Sequence, residues 1–292
     1  MSMRSEKDEI RERSLKEDAE YGALLKETRT WGIKMALCSG TPDLISLYYP
    51  GNEILVVNIH GGGFCFKHAL DDDDYCRYIN QRYCVSVLNV DFLPSTKFGY
   101  PVQLIEIETQ INALLRTHKE VKKLLFVGHS SGANLALALT LRALKDERNV
   151  PSALILDYPW LDLSIRGSER PLLDGVPSNE VLDYWAETYC ASSETRSTPL
   201  VSPLYLSVKE AKKLPFCVIL ETKRDRAKED AVSFGKLLSL AKKKMAYLQT
   251  DNEHGFIERD MKGVYHLPND PKVIKAKEIV DTEFALALKA IR

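Results

Sequence analysis

Four largely apolar runs of strand length punctuate the chain, Val85–Val90, Leu124–Val127, Ala153–Leu156 and Phe216–Leu220. A strand apolar on both sides belongs in a sheet covered on both faces, so these runs predict parallel strands. Segments with helical spacing alternate with them and follow them, Val102–Thr117, Ser131–Leu144, Ala227–Ala241 and Val273–Ile291. That alternation predicts an α/β fold with a mostly parallel, doubly wound sheet. Three β-rich runs precede it, Ile33–Ser39, Leu44–Tyr49 and Ile54–His60. Gly40-Thr41-Pro42 and Pro50-Gly51-Asn52 separate them, which predicts antiparallel strands joined by tight turns.

Two segments stand outside this alternation. Residues 1–32 are dense in charge, and their sparse apolar positions (Ile10, Leu15, Leu24, Leu25, Trp31) could form one helical face. Residues from about 160 to 202 make an unusually long crossover, with Pro171, Pro177 and Pro199 around a helix-like stretch, Glu180–Tyr189. Insertions of that length are commonly lids or added subdomains. The expected organisation is therefore an N-terminal cap segment, 1–32, and an α/β domain, 33–292, with a cap insertion at about 160–202.

Composition narrows the class. The 292 residues are 45% hydrophobic and 28% charged, ordinary for a globular protein and unlike a disordered one. Lys plus Arg number 40 against 41 Asp plus Glu, so no basic excess points to nucleic acid or an anionic membrane. No run approaches the roughly 18 apolar residues of a membrane span, and no apolar core of a secretory signal opens the chain. Six dispersed cysteines (Cys38, Cys65, Cys76, Cys84, Cys190, Cys217) form neither CxxC pairs nor Cys/His clusters. They read as free thiols in a reducing compartment, which predicts a cytoplasmic protein without a metal site.

The chemistry lies at strand ends. Gly128-His129-Ser130-Ser131-Gly132 fits G-x-S-x-G, a sharp strand-to-helix turn that lifts a serine into the open. His60-Gly61-Gly62-Gly63-Phe64 follows a buried strand, and its bare backbone can offer N–H groups to an oxyanion. A serine nucleophile needs a base. In the chain order Ser, acid, His, only His254 and His266 come late enough, and His254 is preferred because it follows the strand-like Met245–Gln249. The acid should leave the strand Phe216–Leu220. Asp225 is chosen over Glu221, Glu229 and Asp230, although it could equally be a helix N-cap. His129, beside the serine, points elsewhere by elbow geometry. Asp71–Asp74 read as a helix start facing solvent, and Lys242–Lys244 as a solvated helix end.

HGGGF, GHSSGAN, the Asp225 region and HGF together resemble the hormone-sensitive-lipase family of α/β-hydrolases, which includes many bacterial carboxylesterases. The resemblance runs from about Ile33 to the last helix. The family's D-x-L-x-D/E signature falls on Asp225-Arg226-Ala227-Lys228-Glu229, and its oxyanion donors fall on the backbone of Gly61, Gly62 and Ser131. Departures are His129 and Ser131 where the family elbow reads GDSAG, and Ala227 for Leu in the acid signature. The family's Y-R-L-A-P-E-x-x-F-P block falls on Phe92–Pro101, with Leu93 at the Arg position and Lys97 at the Glu position. The resemblance implies a cofactor-free carboxylesterase that cleaves short-chain acyl esters through Ser130, His254 and Asp225. Its partner would be a small-molecule ester, and Trp160, Leu161, Tyr184, Trp185 and Tyr189 could wall the alcohol side. An amidase of the arylformamidase type uses the same residues, and a non-catalytic ligand receptor is the third class. The oligomeric state, a homodimer included, is not encoded legibly.

Overall fold

A computed structural model describes residues 5–36, 44–173 and 177–291. The expected turn Gly40-Thr41-Pro42, the end of the run Ile33–Ser39, and Cys38 lie outside them. Among the described residues, eight strands form one sheet: β1 (Ile33–Met35), β2 (Ser46–Tyr49), β3 (Ile54–Ile59), β4 (Ser86–Val90), β5 (Lys123–His129), β6 (Ala153–Asp157), β7 (Phe216–Arg224) and β8 (Met245–Glu253). Their order is β1-β2-β4-β3-β5-β6-β7-β8. The helices are α1 (Glu6–Glu27), α2 (Asp73–Tyr83), α3 (Val102–Thr117), α4 (Ser131–Asp146), α5 (Asn179–Tyr189), α6 (Ser193–Arg196), α7 (Val208–Ala211), α8 (Lys228–Leu240), α9 (Phe256–Met261) and α10 (Pro271–Ile291).

Period-two alternation distributes the strand residues between two cores. Leu55, Val57, Ile59 and Phe126 join the core that α3, α4 and α8 close, through Leu104, Leu135 and Phe234. Val56, Leu125 and Val127 join the opposite core, closed by α2, α9 and α10 through Ile79, Ile257 and Phe284. From β3 to β8 all pairings are parallel, as the apolar runs predict. Antiparallel pairing is confined to β1 with β2 and β2 with β4. The expectation that Ile54–His60 would join that antiparallel group is corrected. β3 lies parallel between β4 and β5, because a strand buried on both faces needs helices above and below it.

The N-terminal helix differs from its apolar-stripe reading. Its buried face is Ser14, Asp18, Tyr21, Gly22 and Leu25, whereas Leu24 is exposed and Ile10 and Leu15 are only partly covered. Docking combines Tyr21 and Leu25, which enter the apolar core, with polar contacts: Ser14 Oγ donates to the Cys65 carbonyl at 2.5 Å and lies 2.6 Å from Thr96 Oγ1, and Asp18 pairs with Lys97. Lys97 thus serves as a tether for α1 in the divergent Phe92–Pro101 block. Asp71–Asp74 also depart from expectation. Asp72 and Asp73 are buried: Asp72 accepts from Asn58 Nδ2 at 2.9 Å, and Asp73 accepts from the Trp31 N–H and the Tyr49 hydroxyl. Adjacent polar strand and loop partners, which no local pattern announces, draw them inward. Among the described residues, no helix is long and apolar enough to cross a membrane.

Candidate active site

The site forms where β3, β5, β7 and β8 end on one edge of the sheet. β5 delivers Ser130 at φ 56°, ψ −116°, a strained backbone for a residue with a Cβ. The turn is feasible because Gly132 has no side chain: a Cβ there would stand 2.1 Å from the Ile59 carbonyl oxygen. The Ser130 N–H donates to the Asp157 carbonyl at 2.9 Å, so the end of β6 pins the turn. α4 starts immediately afterwards, pointing its N-terminus at the cavity, with the Ser131 N–H in its first turn.

His254 follows β8 and Asp225 follows β7. His254 Nε2 lies 2.7 Å from Ser130 Oγ, and His254 Nδ1 lies 2.8 Å from Asp225 Oδ2. Asp225 is not the helix cap of its alternative reading, since Ala227 holds the N-cap position of α8 without a side-chain bond; Asp225 Oδ1 instead accepts the Ala227 N–H at 2.7 Å, just ahead of the helix. Thr222 Oγ1 donates to Oδ2 at 3.0 Å. Burial pushes the Asp225 carboxyl upward, but His254 and these donors hold it below the usual carboxylate range. Burial likewise opposes protonation of His254, yet the Asp225 charge and hydrogen bond raise its pKa above the ordinary imidazole value.

Two of the three rival acids, Glu221 and Asp230, are engaged elsewhere. Glu221 accepts from Tyr247 Oη at 2.6 Å and Gln249 Nε2 at 2.9 Å. Asp230 accepts the Leu161 and Asp162 N–H groups and pairs with Arg170 at 3.0 Å. His266 lines a separate groove. His129 is fully buried beneath the elbow, its Nδ1 2.9 Å from Asp157 Oδ2 and its Nε2 3.1 Å from Asn58 Oδ1. Despite burial, Asp157 lifts its pKa to about 9.

Gly61, Gly62 and Gly63 run beside Ser130, and an added Cβ on Gly61 would lie 3.3 Å from Ser130 Cβ. Gly62 takes φ +100°, and a Cβ on it would fall 2.2 Å from the Phe66 carbonyl oxygen, which explains the bare backbone. Among the described residues, none accepts the backbone N–H of Gly61, Gly62 or Ser131 outside the helix pattern. A cavity of about 190 Å³ covers Ser130, walled by Trp160, Leu182 and Trp185. Of the five aromatic or apolar residues expected to wall the site, Trp160 and Trp185 do so. Leu161 and Tyr189 are buried in the core, Tyr189 stacking on Phe64 with ring centroids 4.0 Å apart. A larger groove of about 930 Å³ lies beyond Gly62, Lys67 and Trp185.

Sequence reasoning missed Tyr158, Lys67 and Glu258. Glu258, in the first turn of α9, is buried and accepts from Lys67 Nζ at 2.5 Å and Tyr158 Oη at 2.8 Å. The Tyr158 ring rests against His254, centroids 4.9 Å apart. The available signal was a glutamate one helical turn after the candidate base. In a sequence it reads as an ordinary partner for the helix dipole.

A family model described as the alpha/beta hydrolase fold matches residues 56–258, and the chain belongs to that family. Among curated proteins it is similar to an esterase of Acinetobacter venetianus, 32% identical over 156 residues that cover 52% of this chain and 51% of that protein. It is also similar to the hormone-sensitive lipase of Bos taurus, 29% identical over 159 residues covering 51% of this chain and 21% of that one. The chain thus spans about half the length of the first relative and about a fifth of the second. The solved carboxyl esterase 2 of Tuber melanosporum superposes with a TM-score of 0.77 at 20% identity, covering 90% of this chain and 87% of that one. At that identity the likeness establishes the fold alone.

Proposed function

We propose that the protein is a carboxylesterase that cleaves short-chain acyl esters through an acyl-enzyme. The observation that carries this reading is the unbroken hydrogen-bonded series Asp225–His254–Ser130, 2.8 and 2.7 Å, opening on a cavity of about 190 Å³. Ser130 Oγ attacks the ester carbonyl carbon while His254 Nε2 takes its proton. Asp225 holds the imidazole so that Nε2 faces the serine, and stabilises the imidazolium that forms. Backbone N–H groups of Gly61, Gly62 and Ser131 receive the developing oxyanion. The imidazolium returns its proton to the leaving alkoxide, and the alcohol departs. Water, deprotonated by His254, then attacks the acyl carbonyl, releasing the acid and restoring Ser130.

A cavity near 190 Å³ walled by two tryptophans supports a small acyl group. Residues 1–32 and 160–202 are read as its cap; Trp160, Leu182 and Trp185 over Ser130 support the second segment, and Arg13, Glu17 and Tyr21 line the adjoining groove. The test is hydrolysis of p-nitrophenyl acetate together with labelling by a fluorophosphonate. Ser130→Ala should lower turnover by several orders of magnitude and lose the label. Turnover and labelling that persist in the variant would move the nucleophile elsewhere.

A further inference from the structure

Glu258 is a buried carboxylate that the ester chemistry does not use, yet it touches both loops that carry that chemistry. Its Oε1 accepts from Lys67 and lies 3.0 Å from where a Cβ on Gly61 would stand, against the glycine run. Its Oε2 accepts from Tyr158, whose ring packs on His254, and is 3.9 Å from the corresponding point on Gly255. Lys67, which completes the bracket, adopts φ 70°, in the left-handed region that disfavours side chains with a Cβ. Strain of that kind persists only where the surroundings over-determine it. An anion beside the place where an oxyanion develops opposes catalysis unless a cation neutralises it.

Resting on the esterase reading, we propose that the Lys67–Glu258 pair is a positioning device, in which Glu258 braces the base loop against the oxyanion loop and Lys67 cancels its charge. The two partners are therefore unequal. Loss of Lys67 leaves an uncompensated carboxylate by the oxyanion site, whereas loss of both leaves a neutral, looser bracket.

The charged and titratable groups around it come from several elements. Lys67 belongs to the glycine loop, Asp71 and Asp72 to the turn before α2, His129 to β5 and Asp157 to β6. Tyr158 follows β6, Asp225 follows β7 and His254 follows β8. Burial favours the protonated form of Glu258, but Lys67 and then His129 hold its carboxyl down at about 2. Glu258 in turn adds to the Asp225 effect that raises His254, and Lys67 subtracts from it.

The test is a double-mutant cycle of near-isosteric changes, Lys67→Met, Glu258→Gln and the pair, in the full chain, with folding checked by thermal unfolding. On p-nitrophenyl acetate, Lys67→Met should lose about 100-fold in kcat and Glu258→Gln about tenfold or less, with the double variant faster than Lys67→Met alone. The acid limb of kcat/KM should move up in Lys67→Met, down in Glu258→Gln, and back toward the parent in the double variant. A purely structural pair could also give rescue, by relieving a stranded charge, but it would leave the acid limb unmoved. A double variant no faster than Lys67→Met, or an acid limb unmoved in all three, overturns the proposal. The esterase reading is judged separately by Ser130→Ala. Should the parent protein fail to turn over p-nitrophenyl acetate, carbon-13 NMR titration of His254 still decides, with opposite shifts in the two single variants expected and equal titrations overturning the pair's role.

Discussion

Asn134 Nδ2 donates to the Trp160 carbonyl at 3.0 Å and also to the Val201 carbonyl at 2.9 Å. One buried amide on the helix behind Ser130 thus holds both ends of the 160–202 insertion. Asn134→Ala should strand two buried acceptors, each costing about 1–3 kcal/mol. The expected result is a melting temperature lower by several degrees, read by circular dichroism. An unchanged melting temperature would mean that the insertion is held chiefly by its apolar contacts.

The acid assignment yields a second expectation. Asp225→Asn should keep the fold but present the wrong His254 tautomer, cutting kcat by roughly 10⁴. Glu229→Gln should cost little, since β7 runs on to Arg224 and brings Asp225, not Glu229, to the base. Because the folded-state His254 pKa is raised, catalysis, which needs neutral imidazole, should fall on acidification with a midpoint above about 6.5. Steady-state kinetics across pH on the parent and both variants check this, and collapse in Glu229→Gln alone would reassign the acid.

On the proposed esterase reading, the Trp160–Trp185 wall bounds the acyl group rather than the alcohol expected from the sequence. In the parent protein kcat/KM should peak at short acyl chains, since each methylene that fits contributes about 0.8 kcal/mol and none is gained once the cavity is full. Trp185→Ala opens the cavity toward the adjoining groove and should shift the optimum to longer chains. A p-nitrophenyl ester series measures both profiles. Efficient hydrolysis of emulsified long-chain triglycerides by the parent would contradict the expectation.

His129 gives a stability test independent of turnover. Its pKa is raised in the folded protein to about 9, against about 6.5 unfolded. A raised folded-state pKa contributes stability that is fully present below about 6.5 and is lost as pH rises through 9. Urea denaturation should therefore show stability declining from about pH 6.5 to 9, with a flatter profile in His129→Gln. Equal slopes in the two proteins would show that His129 is neutral beneath the elbow.

Local order in the chain was sufficient for much of the architecture. Apolar runs such as Leu124–Val127 specify parallel strands, because a strand covered on both faces carries polar side chains only where a buried partner such as Asp72 beside Asn58 satisfies them. G-x-S-x-G and HGGG are legible because each serves a backbone constraint within a few residues, as Gly132 against Ile59 illustrates. Ser130, His254 and Asp225 could be named from chain order and resemblance, since each lies just beyond a strand. Contacts between distant segments were decided only by the tertiary structure. Asp72 and Asp73 carry a solvated pattern in the sequence, but Asn58, Tyr49 and Trp31 stand against them in the fold. Leu24 fits the apolar helical spacing, yet it is exposed, while Tyr21 and Leu25 enter the core and Ser14 and Asp18 make polar contacts, because the surface α1 meets is part apolar and part polar. Lys67 and Glu258 stand 191 positions apart and meet at 2.5 Å. Periodicity records which face of an element is covered, not what covers it, so the pair's charge balance exists only once the sheet has brought its loops to one edge.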